Sequence, residues 1–421
     1  MKKLCLFVLI LVSSYSFCQD KQWINYNTKN SKLPSNKINA IAVDSFGVKW
    51  VSADKGLVKI DGENWTIYDK SNSAVTCPYP GQIAIEGKDT LWIATYCAGL
   101  IRFDGTNWKV YTHSNSPLPS NGWINSVAID NQGNKWAATA SNGVAKFDGK
   151  NWTIYNKDNT PLPSNFVNYV AINPMGWKIF GTDNGLAMFA DTAWYVFNKD
   201  NSPLPGNNVL AISFDKKGIM WVGTNGQGLV AHAGTSCTIF NTFNSDLKSN
   251  FIQAIYIDTM DQKWIGTQTG GLYKIKDSLW TVMDTLSSGI ASDSISAIAP
   301  DTGRALWIGT SNKGISVYTP PVSDVNDARS PGRIHSHSLS QNYPNPFNPS
   351  TKINYSIPKE EFVSLKIFNI LGSEVATMVN EVKKAGSHSV EFNASKIPSG
   401  MYIYSIQAGE FRASKKLILI K

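Results

Sequence analysis

Neutral amides are the most regularly placed polar groups in this sequence. Leu-Pro-Ser-Asn recurs at 33–36, 118–121 and 162–165, giving Asn36, Asn121 and Asn165, while Asn207, Asn250 and Asp293 hold comparable places further on. A second set, Asn39, Asn125, Asn168, Gln253 and Ser296, follows close behind the first. A carboxamide donates and accepts hydrogen bonds without committing to a charge. Trp123, Phe166, Tyr169 and Phe251 stand among these amides and offer faces for stacking. That mixture suits a carbohydrate or a polar peptide. The same asparagines also suit turns, because the side chain bonds nearby backbone and tolerates left-handed conformations. Repetition in every copy is what a structural duty predicts, so each Asn carries both readings.

Residues for covalent or metal chemistry are sparse. The five histidines are His113, His232, His335, His337 and His388, scattered so that no His pair or His–carboxylate cluster is readable. No catalytic residue, no enzyme activity and no cofactor is therefore expected. Asp44, Asp130, Asp215, Asp258 and Asp301 also recur, but calcium needs several oxygens converging on one point, and one Asp per turn predicts no metal site. Five cysteines are present; Cys5 and Cys18 fall in the leader described below, leaving Cys77, Cys97 and Cys237.

The elements that position these residues follow from periodicity. Trp50-Val-Ser-Ala, Trp92-Ile-Ala-Thr, Trp136-Ala-Ala-Thr, Ile179-Phe-Gly-Thr, Trp221-Val-Gly-Thr, Trp264-Ile-Gly-Thr and Trp307-Ile-Gly-Thr are seven copies at steps of 42 to 44 residues. Each copy holds four short apolar segments separated by turn residues. In the third unit these are 125–130, 135–139, 143–148 and 152–155, with Asp130-Asn-Gln-Gly133 and Asp148-Gly149 in the reversals. Four antiparallel strands in about 43 residues is the signature of a propeller blade. The fold class is thus all-β: a seven-bladed β-propeller over 23–319.

A second series fixes the register. Trp23, Trp65, Trp108, Trp152, Trp194 and Trp280 occupy the fourth strands, with Cys237 in the remaining place. Trp23 precedes the first complete blade, and the seventh blade ends at Tyr318 without a fourth strand. Residues 23–26 are therefore expected to supply the outer strand of the last blade and remove an open seam. In this topology the link entering each blade and the loop between its second and third strands emerge on one face. Cys77 lies in the link entering blade 2 and Cys97 in that blade's second-to-third-strand loop, so a disulfide is expected. Cys237, in a packing position, reads as a buried free thiol. The amide sets lie on the same face, around the mouth of the axial channel.

The ends have their own logic. Residues 1–18 read as a signal peptide: Lys2 and Lys3, an apolar core from Leu4 to Val12, and a cleavage region at Ser16-Phe17-Cys18. A lipid-anchored Cys18 is the alternative, which the bulky Phe17 fits poorly. No further apolar run reaches the roughly 20 residues of a spanning helix. The net charge of +8 is spread without a basic run longer than two, which is a solvated surface and not a nucleic-acid footprint. Residues 320–338 read as a linker, and the alternating segments of 339–421 as a small C-terminal antiparallel β-sandwich.

The Leu-Trp-Ile-Ala-Thr (91–95) and Leu-Trp-Ile-Gly-Thr (306–310) repeats resemble the two-component-regulator-type propeller repeats of ligand sensors. The membrane helix and kinase of those sensors have no counterpart here, so ligand binding is what this resemblance implies. Asn342-Tyr-Pro-Asn-Pro-Phe-Asn348, Ile370-Leu-Gly372, Ser399-Gly-Met-Tyr402 and Lys415-Lys416 resemble the C-terminal sorting domain of the type IX secretion system of Bacteroidetes-like bacteria. That resemblance implies type IX machinery as a partner through 339–421, and a location that is secreted or at the outer-membrane surface. The expectation is a monomeric binding protein for an extracellular glycan or peptide. The alternatives are a secreted propeller enzyme, a lyase or glycan-cleaving one, or an adhesive or structural surface protein.

Overall fold

The computed structural model describes residues 22–87, 90–190, 192–234, 236–321 and 337–420. The expected signal peptide and most of the linker lie outside the described residues. Within them every regular element is a β-strand.

Alternating and apolar runs closed by Asp/Asn-Gly turns make four-stranded antiparallel sheets. Blade 3 runs Ile124–Ile129, Lys135–Thr139, Val144–Phe147 and Trp152–Tyr155, from channel to rim. Six such meanders follow one another between residues 38 and 283. The seventh sheet is composite: Ile295–Pro300, Leu306–Thr310 and Ile315–Tyr318 are completed by Trp23–Tyr26. The register is Trp23 opposite Tyr318 and Tyr26 opposite Ile315.

Packing between blades explains the repeated tryptophans. Seven apolar clusters form among the described propeller residues, each shared by two neighbouring blades. Trp92, Trp136 and Trp264 are all but fully buried in them. Their indole N–H groups need acceptors once inside, and the carboxylates opening the hairpins provide them. Trp136 Nε1 donates to Asp130 at 2.9 Å, Trp221 to Asp215 at 3.1 Å, Trp264 to Asp258 at 3.0 Å and Trp307 to Asp301 at 3.2 Å. In blade 2 Glu86 takes that place for Trp92, at 2.8 Å. Four of the five aspartates thus serve the core, Asp44 only its turn, and the described residues contain no cluster of acids, His or Cys able to hold a metal.

The tail forms two facing sheets. One pairs Ser338–Leu339, Ser350–Ile357 and Gly386–Asn393; the other has Glu374–Lys383, Glu361–Asn369, Gly400–Ala408 and Phe411–Leu419. Ser338 already pairs with Ser356, so the sandwich reaches one residue into the expected linker. Its core includes Phe347, Ile353, Val363, Leu365, Tyr404 and Leu417.

Candidate functional site

The link preceding each blade and the second-to-third-strand loop meet at the channel mouth. One backbone hydrogen bond per blade joins them: Asp54 N to Lys37 O, Tyr96 to Tyr79, Ala140 to Trp123, Asp183 to Phe166, Asn225 to Asn208, Gln268 to Phe251 and Ser311 to Ser294. These seven pairs define the mouth, because their backbone is fixed by the repeat while their side chains differ from blade to blade.

The first amide series is committed to holding the links. Asn36, Asn165, Asn207, Asn250 and Asp293 each accept, through Oδ1, the backbone N–H of the residue eight positions earlier, at 2.8 to 2.9 Å. Their own carbonyls accept from the glycine N–H of the preceding blade's loop: Gly314, Gly143, Gly185, Gly228 and Gly271. Asn121 stands out of step with this ring. Its side chain accepts from Trp123 N at 3.0 Å, the duty of Ser35 toward Lys37 and of Ser164 toward Phe166.

The second series staples neighbouring blades across the channel wall. Asn125 Nδ2 donates to Val167 O at 2.8 Å, Asn168 Nδ2 to Val209 O at 3.0 Å, Asn39 Nδ2 to Pro80 O at 3.0 Å and Ser296 Oγ to Ile38 O at 2.6 Å. Each staple reaches the first residue of the next blade's innermost strand. Gln253 holds the equivalent position, half-buried, in blade 6. One residue further in, Ser126 Oγ donates to Gln82 Oε1 and accepts from Val170 N. Tyr169 joins this group by a hydrogen bond with Gln82, while burial pushes its phenol up. Tyr169 therefore lines the channel beside Gln82.

Sequence reasoning named Trp123 and Phe166 but missed Tyr79 and Tyr96 of the aromatic arc that the structure assembles. Tyr79 and Tyr96 come from blade 2, Trp123 from blade 3 and Phe166 from blade 4. Tyr96 and Trp123 meet edge to face at 5.9 Å, and Trp123 and Phe166 at 6.4 Å. Lys37 Nζ lies 6.0 Å from the centre of the Tyr79 ring. Tyr79 is 46% exposed and Trp123 41% exposed, so both rings are open to a ligand. The signal that could have found them is departure from the repeat, since Asn208 and Ser294 occupy the same register elsewhere.

The Cys77–Cys97 disulfide ties together the two loops that carry Tyr79 and Tyr96. Gly122 fits under Trp123 because it has φ +62° and lies against the Cys97 carbonyl, which an added Cβ would meet at 3.0 Å. Burial, with the Asp54 carboxylate nearby, pushes the Tyr96 phenol up, so it stays a neutral donor. Asp54 itself receives Asn39 Nδ2 at 3.0 Å and pairs with Lys37 at 3.5 Å. Asp183 is the carboxylate of blade 4 at the mouth. His113 Nδ1 lies 3.1 Å from the Leu118 carbonyl, and His232 sits on the third strand of blade 5 opposite Cys237. Burial lowers His232 and raises the free Cys237 thiol. The structure thus brings aromatics, amides and two acids to the mouth, and leaves these two histidines outside it.

Comparison with known proteins agrees with this architecture. Residues 341–421 match the family described as the secretion system C-terminal sorting domain, and residues 203–226 match the two component regulator propeller. No curated protein matches the sequence. Among solved structures, PorZ of Porphyromonas gingivalis, an essential surface component of its type IX secretion system, is similar at 17% identity and TM-score 0.55, over 92% of this chain and 60% of that one. An extracellular domain attributed to a hybrid two-component system of B. thetaiotaomicron is similar at 21% identity and TM-score 0.59, over 92% of this chain and 53% of that one. Virginiamycin B lyase of Staphylococcus aureus gives 13% identity and TM-score 0.58, over 71% of this chain and 99% of that one. At such identities the likeness is one of fold, and the chain spans little more than half the length of the first two relatives. The chain carries regulator-type propeller repeats and a type IX sorting tail, and is a secreted or cell-surface protein.

Proposed function

We propose that the propeller is a binding module whose channel mouth recognises an extracellular glycan. The observation that carries this reading is the run of aromatic rings on blades 2 to 4, with Tyr79 and Trp123 exposed, at a mouth that also carries Phe251 and whose other positions include Asn208, Asn225, Gln268, Ser294 and Ser311. Sugar rings present apolar C–H faces and a rim of hydroxyls. Tyr79 and Trp123 supply stacking faces, while the amides, Asp54 and Asp183 donate and accept at the rim. The Lys37 ammonium beside Tyr79 lets the site take a sugar that bears an acidic group. The disulfide and the amide staples hold these loops in place before the ligand arrives, which lowers the ordering cost of binding. A polar peptide is the second ligand class the same surface suits. Binding, with no chemical conversion, is the activity proposed.

The test is a screen of the full mature chain against arrayed neutral and acidic glycans and a peptide set. The expected result is glycan binding that weakens about tenfold or more, ~1.4 kcal/mol, in Trp123→Ala and Tyr79→Ala. Binding to peptides alone would reassign the ligand class. Glycan binding indifferent to both substitutions would remove the mouth as the site.

A further inference from the structure

The rim of blade 5 departs from the other units. Six fourth strands carry a tryptophan where blade 5 has Cys237, and the residue opposite is His232 in place of an Ile, Phe or Tyr. This is the blade against which the tail lies. Tyr343 stacks on Phe240, with centroids 6.1 Å apart and planes 14° from parallel, and its hydroxyl is 3.5 Å from Thr238 Oγ1. Asn244 Nδ2 donates to the Asn345 carbonyl at 3.4 Å, Asn354 Nδ2 to Ser278 Oγ of blade 6 at 2.5 Å, and Lys415 pairs with Asp246.

Three separate tail segments therefore converge on one stretch of rim. The sandwich's own structure explains which groups it offers. Asn342, Asn345 and Phe347 are 2%, 6% and 2% exposed. They are used internally: Asn342 Nδ2 donates to Thr351 Oγ1, and Asn345 Oδ1 accepts from Ile418 N. Tyr343 is the ring of this segment that points outward, 42% exposed even when docked. A cleft of about 540 Å3 remains between tail and propeller, lined by Lys217, Lys276 and Lys352 as well as Trp280. The contact is thus polar and incompletely packed, the character of an interdomain interface that opens and closes.

We propose that the outer rim of blades 5 and 6 is a reversible docking site for the chain's own sorting tail, which covers the Tyr343 side of that tail until it is released. This rests on the identity of 341–421 as a sorting domain. A receptor reading Tyr343 competes with Phe240 for the same ring, and Lys415–Asp246 is the charge latch.

Zero-length carbodiimide treatment of the unmodified full chain, followed by peptide mass spectrometry, should recover a Lys415–Asp246 amide within single molecules. Hydroxyl-radical labelling of the Tyr343 ring, 42% exposed when docked, should then rise about twofold in Asp246→Lys and in Lys415→Glu, and return toward the starting level in the double swap. Absence of the cross-link together with unchanged labelling overturns the proposal. Should a variant fail to fold, the cross-link in the unmodified chain decides alone. Loss of export on removing 339–421 tests the sorting identity separately, and that result stands whether or not the latch exists.

Discussion

At the scale of single residues, the hairpin aspartates hold together a turn, an indole and a neighbouring blade. Asp130 Oδ1 accepts from Gln132 N at 3.1 Å and Asn134 N at 2.8 Å, Oδ2 accepts from Trp136 Nε1, and Lys178 of blade 4 lies 3.6 Å away. Burial works against this carboxylate, but the hydrogen bonds from Asn134 and Trp136, with Lys178, outweigh it and hold Asp130 below the usual aspartate range. Asp301 is lowered by the same balance, Lys49 and Trp307 overcoming its burial. A carboxyl whose folded value is depressed adds stability above its unfolded value, near 4, and that contribution fades as pH falls through the folded one. Asp130→Ala strands a buried indole N–H, which costs about 1–3 kcal/mol. Urea titrations should show this deficit constant from about pH 5 to pH 8 and shrinking below about pH 4. A deficit that grows on acidification would contradict the assignment.

At the scale of elements, the Cys77–Cys97 bridge joins two loops of blade 2 separated by 20 residues. Closing a loop of that size removes unfolded-state entropy worth about 3 kcal/mol. Cys77→Ser combined with Cys97→Ser, or reduction of the natural chain, should lower stability by about that amount in denaturant titrations. Glycan binding should weaken along with it, because Tyr79 and Tyr96 are held by the bridged loops. Unchanged stability would mean that the loops are fixed without the bridge. This blade also shows what a single sequence can and cannot reveal. The seven blades were legible because the same inter-blade contact recurs, and each contact demands Trp, small residues and a turn at one spacing. Asn36, Asn165, Asn207 and Asn250 were legible for the same reason, and the structure spends them on bracing the links. Tyr79, Tyr96, Asp54 and Asp183 escaped notice because the fold leaves their positions free to differ. Repetition marks what every blade needs. Departure from the repeat at the mouth marks what individual blades display, and the three-dimensional register shows which of those positions share a face.

At the scale of the whole molecule, stability depends on a ring whose last sheet is assembled from both ends of the propeller segment. Trp23 packs on Tyr318 at 4.8 Å and lies against Gly289, where an added Cβ would meet the indole at 2.8 Å. Asn25 Nδ2 donates to the Gly289 carbonyl at 3.0 Å, and Thr319 N to Gln22 O at 2.9 Å. Without the strand Trp23–Tyr26, the backbone of Ile315–Tyr318 becomes an open edge able to pair with another chain. The indole of Trp23 contributes to the cluster of blades 6 and 7, so Trp23→Ala should cost about 3 kcal/mol, the low end for a tryptophan, since this one is half-buried. Removing residues 22–26 should do more: it should lower the thermal midpoint, expose amides of the seventh blade to rapid hydrogen exchange, and shift light scattering toward dimers or larger species. Blades 2 to 4 lie away from the seam and should keep slow exchange, because each inter-blade cluster is local to its two neighbours. If exchange instead rose evenly around all seven blades, the ring would be one cooperative unit, and the mouth aromatics would then depend on the closing strand as strongly as Tyr318 does.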